Sequence, residues 1–62
     1  MNRILTKADV KVGESVMIQR HVAWWGGIIG PVVAVYDNGV AVDTLRDEMP
    51  SIMFFEYNEV EK

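Results

Sequence analysis

Side chains able to do chemistry are few in this sequence, and their spacing does not suit catalysis. The single histidine, His21, follows Arg20 and stands just ahead of Trp24-Trp25. An imidazole there would serve as a pH-sensitive or anion-binding group. A general base needs a carboxylate or a second His to orient it, and none stands at catalytic spacing, so a solvated loop histidine is the simpler assignment. Asp43, Asp47 and Glu48 are the nearest approach to a divalent-cation cluster. They match no calcium-loop spacing, which favours a solvated acidic loop. With one His and no Cys, a structural zinc site is not expected. Gly26-Gly27 with Gly30 lacks the strand-to-helix context of a phosphate-cradling loop, and no Ser-His-Asp set is present. No catalytic, cofactor-binding or metal-binding residue is therefore assigned.

Binding is better represented than catalysis. Neighbouring side chains on an extended segment point to opposite faces, so if one of Trp24 and Trp25 enters a core the other is left outside. Trp is enriched at interfaces and at their energetic centres. The alternative, both rings packed under loops, is weakened by recurrence of the pattern. Ile28-Ile29, Val32-Val33 and Phe54-Phe55 also place apolar groups on both faces. The residues expected to contact a partner are Trp24, Trp25, Phe54, Phe55, Met53, Arg20 and His21. Met17, Met49 and Met53 suit gap-filling or adaptable contacts. Lys7, Lys11, Arg20 and His21 beside a Trp would suit stacking on a single nucleic-acid strand. That reading is the weaker one, because seven acidic residues lie downstream and such affinity rests on phosphate neutralisation.

Charge and length bound these readings. Residues 1–22 carry a net +2 and residues 23–62 a net −5, giving −3 overall. An acidic chain is repelled by nucleic-acid phosphates unless its few cations converge. A single domain of 62 residues is expected. Such a chain buries only about 60% of its unfolded surface, and its core supplies roughly 3–5 kcal/mol. No disulfide adds to this, yet half of the residues are apolar. That excess points to burial between chains. No window approaches the roughly 18 apolar residues of a membrane span, and Ile4-Leu5 is too short for a signal-peptide core. A cytoplasmic setting without membrane contact is the expectation.

The elements that must position these residues are strands. Val16 and Ile18 share one face of 15–20 at period two. Residues 28–36 are rich in β-branched side chains and interrupted by Gly30-Pro31, which demands a bulge or an edge position. Asn38-Gly39 between apolar strands predicts a hairpin with positive φ at both residues. Residues 40–45, 51–55 and 59–62 supply three more strands around a charged loop at 46–50 and a turn at 56–58. Thr6-Lys7-Ala8-Asp9 has capping-box spacing but room for one turn only. Residues 1–9 thus form an N-terminal arm or turn, and residues 10–62 an all-β, five-stranded domain that hides its apolar face by curling into a small barrel.

Val12-Gly13-Glu14-Ser15-Val16, Gly27-Ile28-Ile29-Gly30-Pro31-Val32 and Phe55-Glu56-Tyr57-Asn58-Glu59-Val60 resemble the opening strand, the KOW motif and the closing turn and strand of the SH3-like barrel superfamily. The resemblance covers about residues 10–62 and implies a fold, not a single function. Within that superfamily, Ala23-Trp24-Trp25-Gly26-Gly27-Ile28-Ile29-Gly30 and Gly39-Val40-Ala41-Val42-Asp43 resemble runs of the plasmid-borne type B dihydrofolate reductases. That family assembles as tetramers in which substrate and NADPH share a central pore. Its pore uses a Lys at the end of the first strand and a Val-Gln-Ile-Tyr run, where this chain has Ile18 and Ile52-Met53-Phe54-Phe55.

Three functions are therefore weighed. The first is a non-enzymatic protein-interaction module, self-associating or docking on another protein through exposed aromatics. The others are a reductase-like oligomeric enzyme and a KOW-like barrel associated with nucleic acid or the ribosome.

Overall fold

The computed structural model describes residues 4–47 and 51–62. Arg3 of the N-terminal arm and Glu48, Met49 and Pro50 of the charged loop lie outside them. The described chain is all-β. Strands β1 (Ser15–Ile18), β2 (Ile29–Val35), β3 (Gly39–Asp43), β4 (Ile52–Glu56) and β5 (Val60–Glu61) form one antiparallel sheet in the order β4-β3-β2-β1-β5. Two short 3-10 turns, Lys7–Asp9 and Tyr57–Glu59, are its helical content among the described residues.

Alternation explains which side chains make the core. Val16 and Ile18 of β1, Val40 and Val42 of β3 and Phe55 of β4 all turn inward, joined by Val32, Tyr57, Val60, Leu5 and Val10. The expected face of Val16 and Ile18 is thus the buried one.

β2 belongs to both halves of the sheet. Its first residues pair with β1, as in Ser15↔Pro31 and Val16↔Gly30, and its later ones with β3, with a register shift between Val32 and Ala34. The Val32 amide donates to the Glu14 carbonyl, and the Gly13 amide donates to that of Val32. Residue 31, one step away, therefore faces its missing N–H toward β3, beyond the Val32↔Val42 pair. The bulge next to it accommodates a proline inside an interior strand.

The expected barrel does not close. β4 and β5 stay at opposite ends of the strand order, and no ladder joins them among the described residues. β5 has only two residues, paired with β1 at Met17↔Glu61 and Ile18↔Val60, and so offers its free edge little length for a ladder to β4. The result is a curled, open sheet.

The hairpin stands where expected but is built differently. The Tyr36 amide donates to the Gly39 carbonyl at 2.8 Å, so Asp37-Asn38 form the tip. Neither Asn38 nor Gly39 has positive φ, and Gly39 already belongs to β3. Tyr57 secures this end, its hydroxyl donating to the Tyr36 carbonyl at 2.5 Å. Tyr57→Phe removes that donor and is expected to lower stability by about 1 kcal/mol, read as the denaturant midpoint.

Acidic residues serve the turns. The carboxylates of Asp9, Glu14 and Glu59 each accept from the backbone N–H three residues earlier, at Thr6 (2.8 Å), Lys11 (2.7 Å) and Glu56 (2.9 Å). Lys62 ties the chain ends together, donating to the Asp9 carbonyl at 3.0 Å and pairing with Glu14 at 3.3 Å. The Lys11 amide, with help from Lys62, holds the Glu14 carboxyl below the usual carboxylate range. A depressed folded value means that this contribution is full above the usual range. It is lost as pH falls through the lowered value. The denaturant midpoint should therefore drop in that acid window, and drop less in Glu14→Gln.

Candidate interaction surface

The loop between β1 and β2 carries the Trp pair. It is closed at its base by the Ile18 amide to the Ile28 carbonyl (2.8 Å) and the Gly27 amide to the Ile18 carbonyl (2.7 Å). Inside it, the Val22 amide donates to the Gln19 carbonyl (3.0 Å), the Gly26 amide to the Val22 carbonyl (3.0 Å) and the Ile28 amide to the Trp25 carbonyl (3.1 Å). Gly26 lies against the Arg20 backbone so closely that a Cβ would stand 2.7 Å from its carbonyl oxygen.

This tight path sends the two rings apart. Trp25 turns toward the core, half-buried, and meets Phe55 edge-to-face at 6.4 Å. Trp24 stands 85% exposed on a backbone with φ of 72°. A bulky aromatic in the left-handed region costs about 1–2 kcal/mol and persists only where its surroundings impose it. Arg46, from the β3–β4 loop, supplies part of that constraint. Its Nη2 donates to the Trp24 carbonyl at 3.0 Å while its guanidinium lies 5.0 Å from the Trp25 ring centre. Leu45 beside it also has positive φ, 61°, and is 66% exposed. Its amide donates to the Asp43 side chain at 2.9 Å.

A second apolar area covers the outer face of β3 and β4. Ile52 and Phe54 alternate outward, and Tyr36 packs on Phe54 with ring centres 6.0 Å apart. All three are exposed, and Ala34 and Ala41 continue the face across paired strands.

The residues expected to contact a partner therefore divide. Trp24 and Phe54 are at the surface, and Met53 is half-buried against the core. Phe55 is a core residue because it alternates with exposed Phe54 on β4, whereas Trp25 is half-buried against the core because residues 23–27 form a turn, not the extended segment expected, and the left-handed Trp24 splits the two rings. The other doublets behave alike, with Ile29 and Val33 exposed beside half-buried Ile28 and buried Val32. Arg20 and His21 are exposed, and among the described residues neither side chain forms an ion pair or hydrogen bond. Lys7 pairs with Asp37 at the hairpin tip, the length of β3 away from the Arg46 end, so it does not join them. Asp43 is committed to the Leu45 amide, and no metal-holding cluster occurs among the described residues.

The sequence reading missed Leu45, Arg46, Tyr36 and Ile52. Period two from Phe54 would have found Ile52. Nothing local marks Arg46, whose role depends on two loops meeting. Among the described residues no helix is long and apolar enough to cross a membrane. No family model, curated protein or solved structure matches the chain.

Proposed function

We propose that this chain is a non-enzymatic protein-interaction module that contacts a second copy of itself or another protein through exposed aromatics. The observation carrying this reading is Trp24, 85% exposed on a left-handed backbone pinned by Arg46. Strain and solvent exposure of one large aromatic both oppose stability, and a binding surface is the usual reason for keeping them. Leu45, Phe54, Tyr36 and Ile52 add exposed apolar area that a small chain gains by covering. The framework we favour is the SH3-like small barrel in its open form, with loops as the working parts, in a cytoplasmic setting.

The resemblance to type B dihydrofolate reductases supports a different expectation at the matched pore positions. Ile18, where that family has its Lys, is wholly buried, Phe55 is in the core, and Met53 replaces an amide with a thioether. Side chains so placed hold no charged substrate. Purified protein given dihydrofolate and NADPH should show no turnover above background. Measurable turnover would promote the enzyme reading.

Tryptophan emission tests the interaction reading directly. A dilution series, and a parallel series with cell extract, should show blue-shifted emission when Trp24 is covered and a red shift as complexes dissociate. Trp24→Phe should abolish the change, leaving the Trp25 signal. Emission that stays red-shifted under every condition contradicts the proposal.

A further inference from the structure

We infer that the outer face of β3 and β4 docks an arginine-bearing segment of another protein, its guanidinium resting on Tyr36 and Phe54 against the Glu56 carboxylate. This goes beyond the interaction-module reading, because it assigns a second contact, separate from Trp24, and the chemistry that fills it.

Strand register brings the site together. Ile52, Phe54 and Glu56 alternate onto the outer face of β4. Gly39 pairs with Glu56, and the Tyr36 amide donates to the Gly39 carbonyl, so Tyr36, Gly39 and Glu56 stand in one row across the sheet. Tyr36 and Glu56 are then two strand spacings apart, about 10 Å, with a residue lacking a side chain between them. The Phe54 ring leans toward that bare position, its Cζ standing 2.6 Å from a Cβ built on Gly39. Tyr36 and Phe54 are both exposed, with ring centres 6.0 Å apart and planes tilted by 55°. Two aromatic rings and a carboxylate thus border one shallow notch.

Aromaticity and charge together select the occupant. Ring faces attract cations, and a guanidinium both stacks on them and bonds a carboxylate through its fork of N–H groups. Glu56 is exposed and forms no ion pair among the described residues. Asp43, the charged residue opposite Ile52 at the other end of this face, is also acidic. Lys7, which reaches this end of the sheet, is already paired with Asp37. Residues 23–62 carry −5, which draws a cationic segment and repels an acidic one. Exposed Ile52, about 7 Å from Phe54 along the strand, seats an apolar residue next to the arginine.

A second copy of this chain does not fit the site well. Its Arg46 is engaged with the Trp24 carbonyl. Its Arg20 is exposed but lies against Gly26 in the β1–β2 loop, at the opposite end of the sheet from Tyr36. Docking Arg20 here would join copies head to tail, a contact that does not close at a dimer.

The test is a titration of the isotope-labelled chain with the capped peptide Ser-Leu-Ser-Arg-Ser-Leu-Ser, followed by amide chemical shifts up to millimolar peptide. Saturable shifts should centre on Tyr36, Phe54 and Glu56. The same peptide with citrulline in place of arginine keeps the shape without the charge, and should bind at least about 10-fold more weakly. Glu56→Gln and Tyr36→Leu, both at exposed positions, should each weaken the arginine peptide by a similar factor with an unchanged far-UV spectrum. Trp24→Ala should leave its affinity unchanged. Equal binding of the arginine and citrulline peptides, or insensitivity to both Glu56→Gln and Tyr36→Leu, would overturn the site. Shifts centred on Trp24 would also overturn it while leaving the interaction-module reading intact. An absence of shifts from a chain that still captures a protein through Trp24 would do the same. A chain that binds neither peptide nor protein and stays monomeric overturns both.

Discussion

Replacing Gly39 by valine is expected to leave the chain largely unfolded. Gly39 opens β3 opposite Glu56, and the paired strand β4 runs beside it at very close range. A Cβ built there would stand 2.2 Å from the Phe55 carbonyl oxygen and 3.0 Å from the Glu56 Cα, with the Phe54 ring 2.6 Å away. The ring has room to swing, but the backbone atoms belong to a five-pair ladder and do not. The penalty is therefore set by overpacking against fixed main chain. It should reach about 3 kcal/mol or more, at the upper end for such changes. A core able to supply only roughly 3–5 kcal/mol does not absorb that loss. The far-UV spectrum and denaturant midpoint report it. A midpoint equal to that of the parent chain would mean that β4 does not approach Gly39 so closely.

Trp24→Gly is expected to separate binding from folding. Glycine adopts positive φ without penalty, so relief of the strain at φ of 72° should leave stability equal or raise it by about 1 kcal/mol. The same change removes the exposed ring and should weaken association by about 2 kcal/mol or more. Trp24→Ala should weaken association equally without the stability gain, because alanine keeps the left-handed penalty. Were Trp24 a packing residue, both variants would destabilise the fold. Thermal melts of diluted protein, paired with association measurements, read the two effects apart. Destabilisation of the diluted chain by both substitutions would contradict the assigned role.

Much of this molecule was legible from alternation alone. Val16 and Ile18 fell on the buried face, and each apolar doublet sent one side chain out. Which Trp faced outward was not legible, because the answer depends on a left-handed residue in a loop held by Arg46 from another loop. Asn38-Gly39 located the hairpin but suggested the wrong cause. The glycine is demanded by the close approach of the neighbouring strand β4, a contact between residues 39 and 55 that no local pattern encodes. Phe54-Phe55 divides between surface and core as its two-faced pattern implies, so of these two expected partner contacts only Phe54 is exposed. Closure of the sheet depended on the length of β5. The 3-10 turn at Tyr57–Glu59, held by the Glu59 side chain on the Glu56 amide, delays that strand until Val60.

Native mass in solution tests the central claim most directly. Sedimentation at micromolar concentration should show a species heavier than the 7.0 kDa chain, moving toward 7.0 kDa on dilution and in Trp24→Ala, or a stable complex with a captured protein. A compact 7.0 kDa species at every concentration, retaining no protein in a pull-down, would contradict it.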